Sequence, residues 1–434
     1  MSVFLSPGII EIFYVIASRR FALSGASEDE AQAAKQSPPR RGRCAASLPW
    51  SRYVAPLASL LDQRSLAMTE DKEIAMSTEI ERAVEFYDKA CLAEEQGQMT
   101  LADVYYLKSW ALFEQAGGAH YVDAANVLNA LAFSREARGD HDDALRSAKE
   151  SAKIMETHGA QFTSREADEI RLQAWGLVGN IYRHMARYAE AEQILQRAFD
   201  YAIEKFGDAD EETSAARNHL GILYKYTGEF DKAEKLYREA LASLISQFGG
   251  ENSFVATIYH NLGGLAHARG DFAAGESDAR KAWEIRRRLL GEDHPAVLAD
   301  AAAYAGVLDG LERYDESEPI YRRVLEALEK IYGPEHYEIV VNLNNLANVR
   351  FQCGDHKESE ELFKRALAIK EKILGAGHPD TALTANNLGV LLQSQGRLEE
   401  ARSFFTRALD VFKTQLGSDH PKTLMASENL ALAV

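Results

Sequence analysis

Glycines recur at a fixed interval along most of this chain, and that interval constrains the fold more than any other feature. Gly97 and Gly139 stand 42 residues apart, as do Gly228 and Gly270, and again Gly354 and Gly396. Ala186 and Glu312 hold the same slot where the glycine is missing. A second series, Gly207, Gly249, Gly291, Gly333, Gly375 and Gly417, keeps the 42-residue step without a break. A period of this length marks a repeat array, in which each unit is one supersecondary element that buries its apolar face only against its neighbours. The length of 434 residues therefore says little about domain count, because an array grows without enlarging any single core.

Glu338 to Thr381 is the best-preserved unit and reads as two amphipathic helices joined by a tight turn. The first glycine series marks that turn, where a helix ends on a left-handed residue and a Cβ is costly. Five residues later comes a small side chain: Ala102, Ala144, Ala191, Ala233, Gly275, Ser317, Ser359 or Ala401. Seven further on is a second, usually small: Ser109, Ser151, Ala198, Ala240, Ala282, Val324, Ala366 or Ala408. Small residues at helical spacing let the second helix approach its neighbour to the 8–10 Å or so of ridge-into-groove packing. The second glycine series closes the unit, and in three units His-Pro follows (His294-Pro295, His378-Pro379, His420-Pro421), with proline at home in a first helical turn. Phase breaks once, between Gly139 and Ala186, and the extra residues near Thr157–Asp168 predict a longer loop. Lys422 to Val434 supplies one more first-type helix, expected to cap the array.

Residues 1–78 lack the period. Val3 to Ala17 is apolar but broken by Pro7, Gly8 and Glu11, and falls short of the roughly 20 residues that cross a bilayer. Residues 24–52 read as disordered. Met68 and Met76 lie just before the first periodic helix, so the upstream segment is expected to be a mis-called extension; a weak membrane-associating tail is the other reading. The formal charge of −17 makes a non-specific nucleic-acid partner unexpected, since phosphate binding needs clustered Lys and Arg. The bland reading of this acidic excess is solvated helix faces that keep a long array soluble. Cys44, Cys91 and Cys353 are far apart and form no C-x-x-C, which suits a reducing, cytoplasmic setting rather than a disulfide framework or zinc site.

Leu343-Asn344-Asn345-Leu346-Ala347, the G-(D/E/R)-(F/H/L)-x-x-(A/S)-(E/R) turn, R-A-L and the L-G-x-x-H-P closure together resemble the tetratricopeptide repeat, and most of all its 42-residue variety in kinesin light chains. The similarity is strong over Glu212–Thr423, moderate over Asp123–Glu211 and weak over Glu79–Val122, where Lys89 stands in place of Leu, Val or Tyr. The expected fold is all-α: about eight antiparallel helix pairs over residues 79–434, with weak repeats at 79–167, clear ones at 168–423 and a capping helix at 422–434. A right-handed superhelix with first helices lining a concave face is what the resemblance implies. Motor-cargo adaptation does not carry over, because no heptad coiled coil precedes the repeats.

Four positions of each first helix, spaced 3, 4 and 3 apart, share one stripe. They are Val341, Asn344, Asn348 and Phe351, then Leu383, Asn386, Val390 and Gln393. Toward the N-terminus they are Thr257, His260, Gly264 and His267; Ala215, Asn218, Ile222 and Lys225; and Gln173, Gly176, Asn180 and Arg183. An amide both donates and accepts, so a row of Asn at one height suits the backbone of an extended peptide of any sequence. Arg183, Lys225, His260 and His267 make the N-terminal half of the stripe basic, which suits acidic segments, although the pattern is not the family's carboxylate clamp for chaperones. The second Asn of each pair (Asn261, Asn345, Asn387, Asn429) is expected to hold helix to helix.

No catalytic or cofactor motif appears. His294, His336, His378 and His420 lie one repeat, or roughly 10 Å, apart, too far for one metal. Tyr224, Tyr237, Tyr321, Phe363 and Phe405 recur at helical positions and read as core. The expectation is a non-enzymatic scaffold that binds a protein or peptide segment in its groove, without cofactor or metal. The alternative is a peptide-responsive sensor that acts on a partner through a change of superhelix; the oligomeric state is left open.

Overall fold

A computed structural model describes residues 70–95, 98–158, 161–336, 338–418 and 420–433. The readings of residues 1–69, with Met68, and of Gly97 lie outside these described residues. The described residues form seventeen α-helices in tandem and no strand. They are α1 (Glu70–Glu95), α2 (Met99–Ala116), α3 (Tyr121–Ala137), α4 (His141–His158), α5 (Arg165–His184) and α6 (Tyr188–Phe206). Next come α7 (Glu211–Thr227), α8 (Phe230–Phe248), α9 (Ser253–Arg269), α10 (Phe272–Leu290), α11 (Pro295–Gly310) and α12 (Tyr314–Tyr332). The chain ends with α13 (Glu338–Gln352), α14 (His356–Leu374), α15 (Pro379–Ser394), α16 (Leu398–Leu416) and α17 (Pro421–Leu432). The all-α repeat fold is thus as the periodicity predicts. The described chain divides inside α9 into two compact bodies, residues up to Ile258 and residues from Tyr259 on.

Every described turn slot is left-handed: Gly139, Gly228, Gly270, Gly354 and Gly396 have φ between 75° and 81°. Ala186 (φ 57°) and Glu312 (φ 58°) adopt the same conformation with a Cβ, so the repeat geometry overrides their intrinsic preference. The His-Pro histidines cap helices. In His294, His378 and His420 the ring Nδ1 accepts from the backbone N–H two residues on, at 3.1, 3.1 and 3.2 Å. This satisfies one of the orphan donors at each helix start.

The small-residue series bring helices together as expected. Ser109 donates to the Ala83 carbonyl of α1 at 2.8 Å, Ser151 to Ala125 of α3 at 2.9 Å, and Ser359 to Ala347 of α13 at 2.8 Å. Within the first body, Gly221 of α7 faces the buried ring of Tyr237 on α8; in the second, Gly389 of α15 faces Phe405 on α16. Tyr321 and Phe363 are buried in the same manner, and Tyr224 nearly so.

The insertion at the phase break is divided between loop and helix: six residues separate His158 from Arg165, against four between Phe206 and Glu211. The inserted residues do not all go into a loop, because α5 has 20 residues where α7 has 17. Ser164 caps the lengthened helix by accepting from Ala167 N–H at 3.3 Å, and Glu166 and Asp168 complement the helix dipole in its first turn. Good capping chemistry just upstream made helix the better state for these residues.

Candidate functional site

In the first body the stripe falls on α5 and α7. Asn180, Arg183, Asn218 and Lys225 are all buried, at 5–8% exposure. The Asn180 amide nitrogen lies 3.1 Å from Nδ1 of His219, joining consecutive first helices. Close approach is possible because Gly176 leaves room: a Cβ there would meet the His219 ring at 3.3 Å.

The two cations of this stripe converge on a residue that sequence reasoning missed. The Arg183 guanidinium lies 4.5 Å and the Lys225 ammonium 5.4 Å from the ring of Tyr226. Tyr226 follows Lys225 directly, and its adjacency was the only available signal. Burial pulls the Lys225 pKa down to about 7 and pushes the Tyr226 hydroxyl up. Arg183 also donates through Nη2 to Nε2 of His184 at 2.7 Å. A guanidinium only donates, so Nε2 accepts and a neutral ring carries its proton on Nδ1, 2.9 Å from Glu136 Oε1. Burial, then the Arg183 charge, holds the His184 pKa below its ordinary value. A desolvated basic pair backed by a carboxylate thus sits at the C-terminal ends of α5 and α7.

In the second body His260 is enclosed. Its Nδ1 lies 3.0 Å from Asp300 Oδ1, and Arg286 Nε lies 3.0 Å from Asp300 Oδ2. All three are at most 5% exposed, and pairing is what makes such burial of charge tolerable. Asp300 and Arg286 belong to no motif and were not anticipated. His267 is half-buried, edge-on to Phe272 at 5.2 Å.

Asn344 donates to the Val340 carbonyl of its own helix at 2.9 Å. Asn386 accepts from Asn429 at 3.0 Å across α15 and α17. Asn348, Phe351 and Gln393 are half-buried, and Phe351 leans on His356 with ring centroids 5.5 Å apart. Asn345 meets the Tyr321 hydroxyl of α12, the helix-to-helix role expected of a second Asn.

The stripe is therefore more enclosed than its polarity suggests, and Asn180 and Asn386 each reach a polar side chain of the next first helix, His219 and Asn429. Among the described residues no group of three His, Cys, Asp or Glu is placed to hold a metal, and no helix is long and apolar enough to cross a membrane.

A family described as Tetratricopeptide repeat matches residues 171–246, 254–330, 297–372, 338–414 and 380–434, together more than half of the chain. No curated protein matches the chain by sequence. Among solved structures, the apo form of the quorum sensor NprR from B. thuringiensis is similar with a TM-score of 0.57 at 12% identity, covering 83% of this chain and 93% of that one. Aspartyl phosphate phosphatase F from Bacillus subtilis gives 0.53 at 12% identity, covering 86% and 97%. A Podosopora anserina putative kinesin light chain with nearly identical TPR-like repeats gives 0.41 at 21% identity, covering 48% and 99%. For the first two, at these identities, the likeness is one of fold.

Proposed function

We propose that this chain, which belongs to the tetratricopeptide repeat family, is a non-enzymatic, cytoplasmic scaffold that binds an extended protein or peptide segment along the stripe of its first helices. The observation that carries the reading is the amide row. Asn386 and Asn180 each bond to a residue of the next first helix just off the stripe, Asn429 at 3.0 Å and His219 at 3.1 Å, which holds the stripe amides in position. Such groups exchange their mutual bonds for those of a peptide backbone at little net cost, because hydrogen bonds are traded rather than lost. Arg183 and Lys225 on Tyr226 supply a desolvated positive site for a carboxylate, where charge-assisted bonds are strong. The groove residues under this reading are Asn180, Arg183, Asn218, Lys225, His260, His267, Asn344, Asn348, Phe351, Asn386 and Gln393.

The test is a selection from a displayed library of random 12-residue peptides, followed by calorimetry on the winners. Selected sequences should be rich in Asp and Glu. Asn344→Ala plus Asn386→Ala should weaken them at least tenfold, and Arg183→Glu plus Lys225→Glu should abolish the acidic preference. Winners that bind both double variants like the original chain would sink the proposal.

A further inference from the structure

A cavity lies on the first body, on the side of α5 away from the stripe. By helical period, Trp175, Val178 and Tyr182 stand opposite Gln173, Gly176, Asn180 and Arg183. These three form the floor of a cavity of about 330 Å³ between α4 and α6, with Ala152 in one wall.

The repeat register explains why the space exists. Ala152 directly follows the second small residue of its unit. The same position in the other units holds Trp110, Phe199, Leu241, Trp283, Leu325, Leu367 and Leu409. Leu241 is buried, and each of the other six side chains packs into a hydrophobic cluster. Here the plug is cut to a methyl group, and space left where a packed side chain is shortened costs stability. The indole of Trp175 supplies apolar floor rather than a donor, because its Nε1 is itself buried.

Charge on the rim says what the occupant carries. Lys149 and Lys153 stand on α4 and Arg197 on α6, against Glu156 and Glu190. The Lys149 ammonium rests 5.0 Å from the Tyr182 ring, and the Arg197 guanidinium 4.3 Å from the Trp175 ring. Arg197 pairs with Glu156 at 2.6 Å, but both side chains are about half exposed, and such a pair re-partners readily. Cations on both walls suit carboxylates on both sides of the plug, which a chain of residues supplies and a small monocarboxylate does not.

We propose that this socket is a second binding site, which takes one leucine- to tryptophan-sized apolar side chain carried between acidic residues on a partner's peptide segment. The occupant restores the plug that Ala152 lacks, while its carboxylates meet Lys149 and Arg197. The site uses none of the stripe residues, so it stands apart from the amide row.

The probe is the peptide acetyl-Glu-Asp-(4-fluoro-Phe)-Asp-Glu-amide, followed by fluorine NMR linewidth with the full chain. The unaltered protein should broaden the signal saturably. Ala152→Leu should weaken binding at least tenfold while raising the melting temperature, since leucine fills this position in other units. Lys149→Gln plus Arg197→Gln should weaken it several-fold, and the loss caused by Ala152→Leu should be just as large in an Arg183→Glu plus Lys225→Glu background, where acidic peptide no longer binds the stripe. Undiminished binding to Ala152→Leu, a lower melting temperature for that variant, equal binding of the Gln/Asn version of the peptide, or no broadening at millimolar probe would each overturn the proposal. So would free 4-fluorophenylacetate binding as tightly as the peptide.

Discussion

Asn429 donates through Nδ2 to Oδ1 of Asn386 at 3.0 Å, tying α17 to α15. Asn386 is only 2% exposed, so its oxygen has little access to water if the donor is lost. Asn429→Ala should therefore cost about 1–3 kcal/mol, the range for a buried acceptor left unpaired. A double-mutant cycle with Asn386→Ala, read by urea denaturation, should show a coupling of about 1 kcal/mol. Additive effects would mean that the contact carries no stability.

Two glycines in first helices should respond oppositely to alanine. A Cβ on Gly221 would lie 2.5 Å from the Tyr237 ring, which has nowhere to go at 0% exposure. Gly221→Ala should destabilise by about 1–3 kcal/mol, as overpacking does. At Gly306 the nearest atom to a new Cβ is the Tyr321 hydroxyl at 3.6 Å, an ordinary contact. Gly306→Ala should be neutral or stabilising by up to about 1 kcal/mol, because mid-helix glycine is entropically costly. Thermal melts of the two variants side by side check the pair of signs.

Ala186 and Glu312 occupy left-handed turn slots that glycine fills elsewhere. The left-handed conformation costs an L-residue about 1–2 kcal/mol, part of which returns as unfolded-chain entropy when glycine replaces it. Ala186→Gly and Glu312→Gly should each raise the melting midpoint, by a net gain of about 0.5–1 kcal/mol. Midpoints unchanged or lowered for both would show that the side chains do more than tolerate the turn.

Lys225 predicts a pH dependence. The unfolded chain keeps this proton to about pH 10.4, whereas burial in the fold brings the pKa to about 7. Between those values the unfolded state binds more protons, so the contribution of Lys225 to stability rises with pH through that window and is least favourable below about pH 7. Lys225→Met should accordingly raise the denaturation midpoint at pH 6, with the gain shrinking toward pH 10. An acidic peptide at this site would draw the pKa back up. Binding at pH 8 should then take up protons, seen as a heat that varies with the buffer's ionisation enthalpy.

Much of the fold was legible because the repeat announces itself through backbone constraints. A left-handed slot, a proline at a first turn and small residues at close approaches are local requirements that recur with the unit, and the structure honours them even where Ala186 and Glu312 stand in for glycine. The insertion before α5 does lengthen the loop, but its share in the helix was not legible, because Ser164 and the acidic residues after it start a helix early. The candidate site was legible only in part. Periodicity assigns Arg183 and Lys225 to one face, yet Tyr226, which collects them, sits one position off the stripe. Asp300 and Arg286, which enclose His260, come from two other helices and share no spacing with it.

By itself, then, the sequence determined the class of fold and the turn conformations, because each follows from short-range geometry repeated every 42 residues. Only the tertiary structure decided how deeply each face lies. Exposure depends on how near the next helix comes, and that is set by side chains a repeat or more away: His219 against Gly176, Asn429 against Asn386, and the missing plug at Ala152 that leaves Trp175 beside an open cavity.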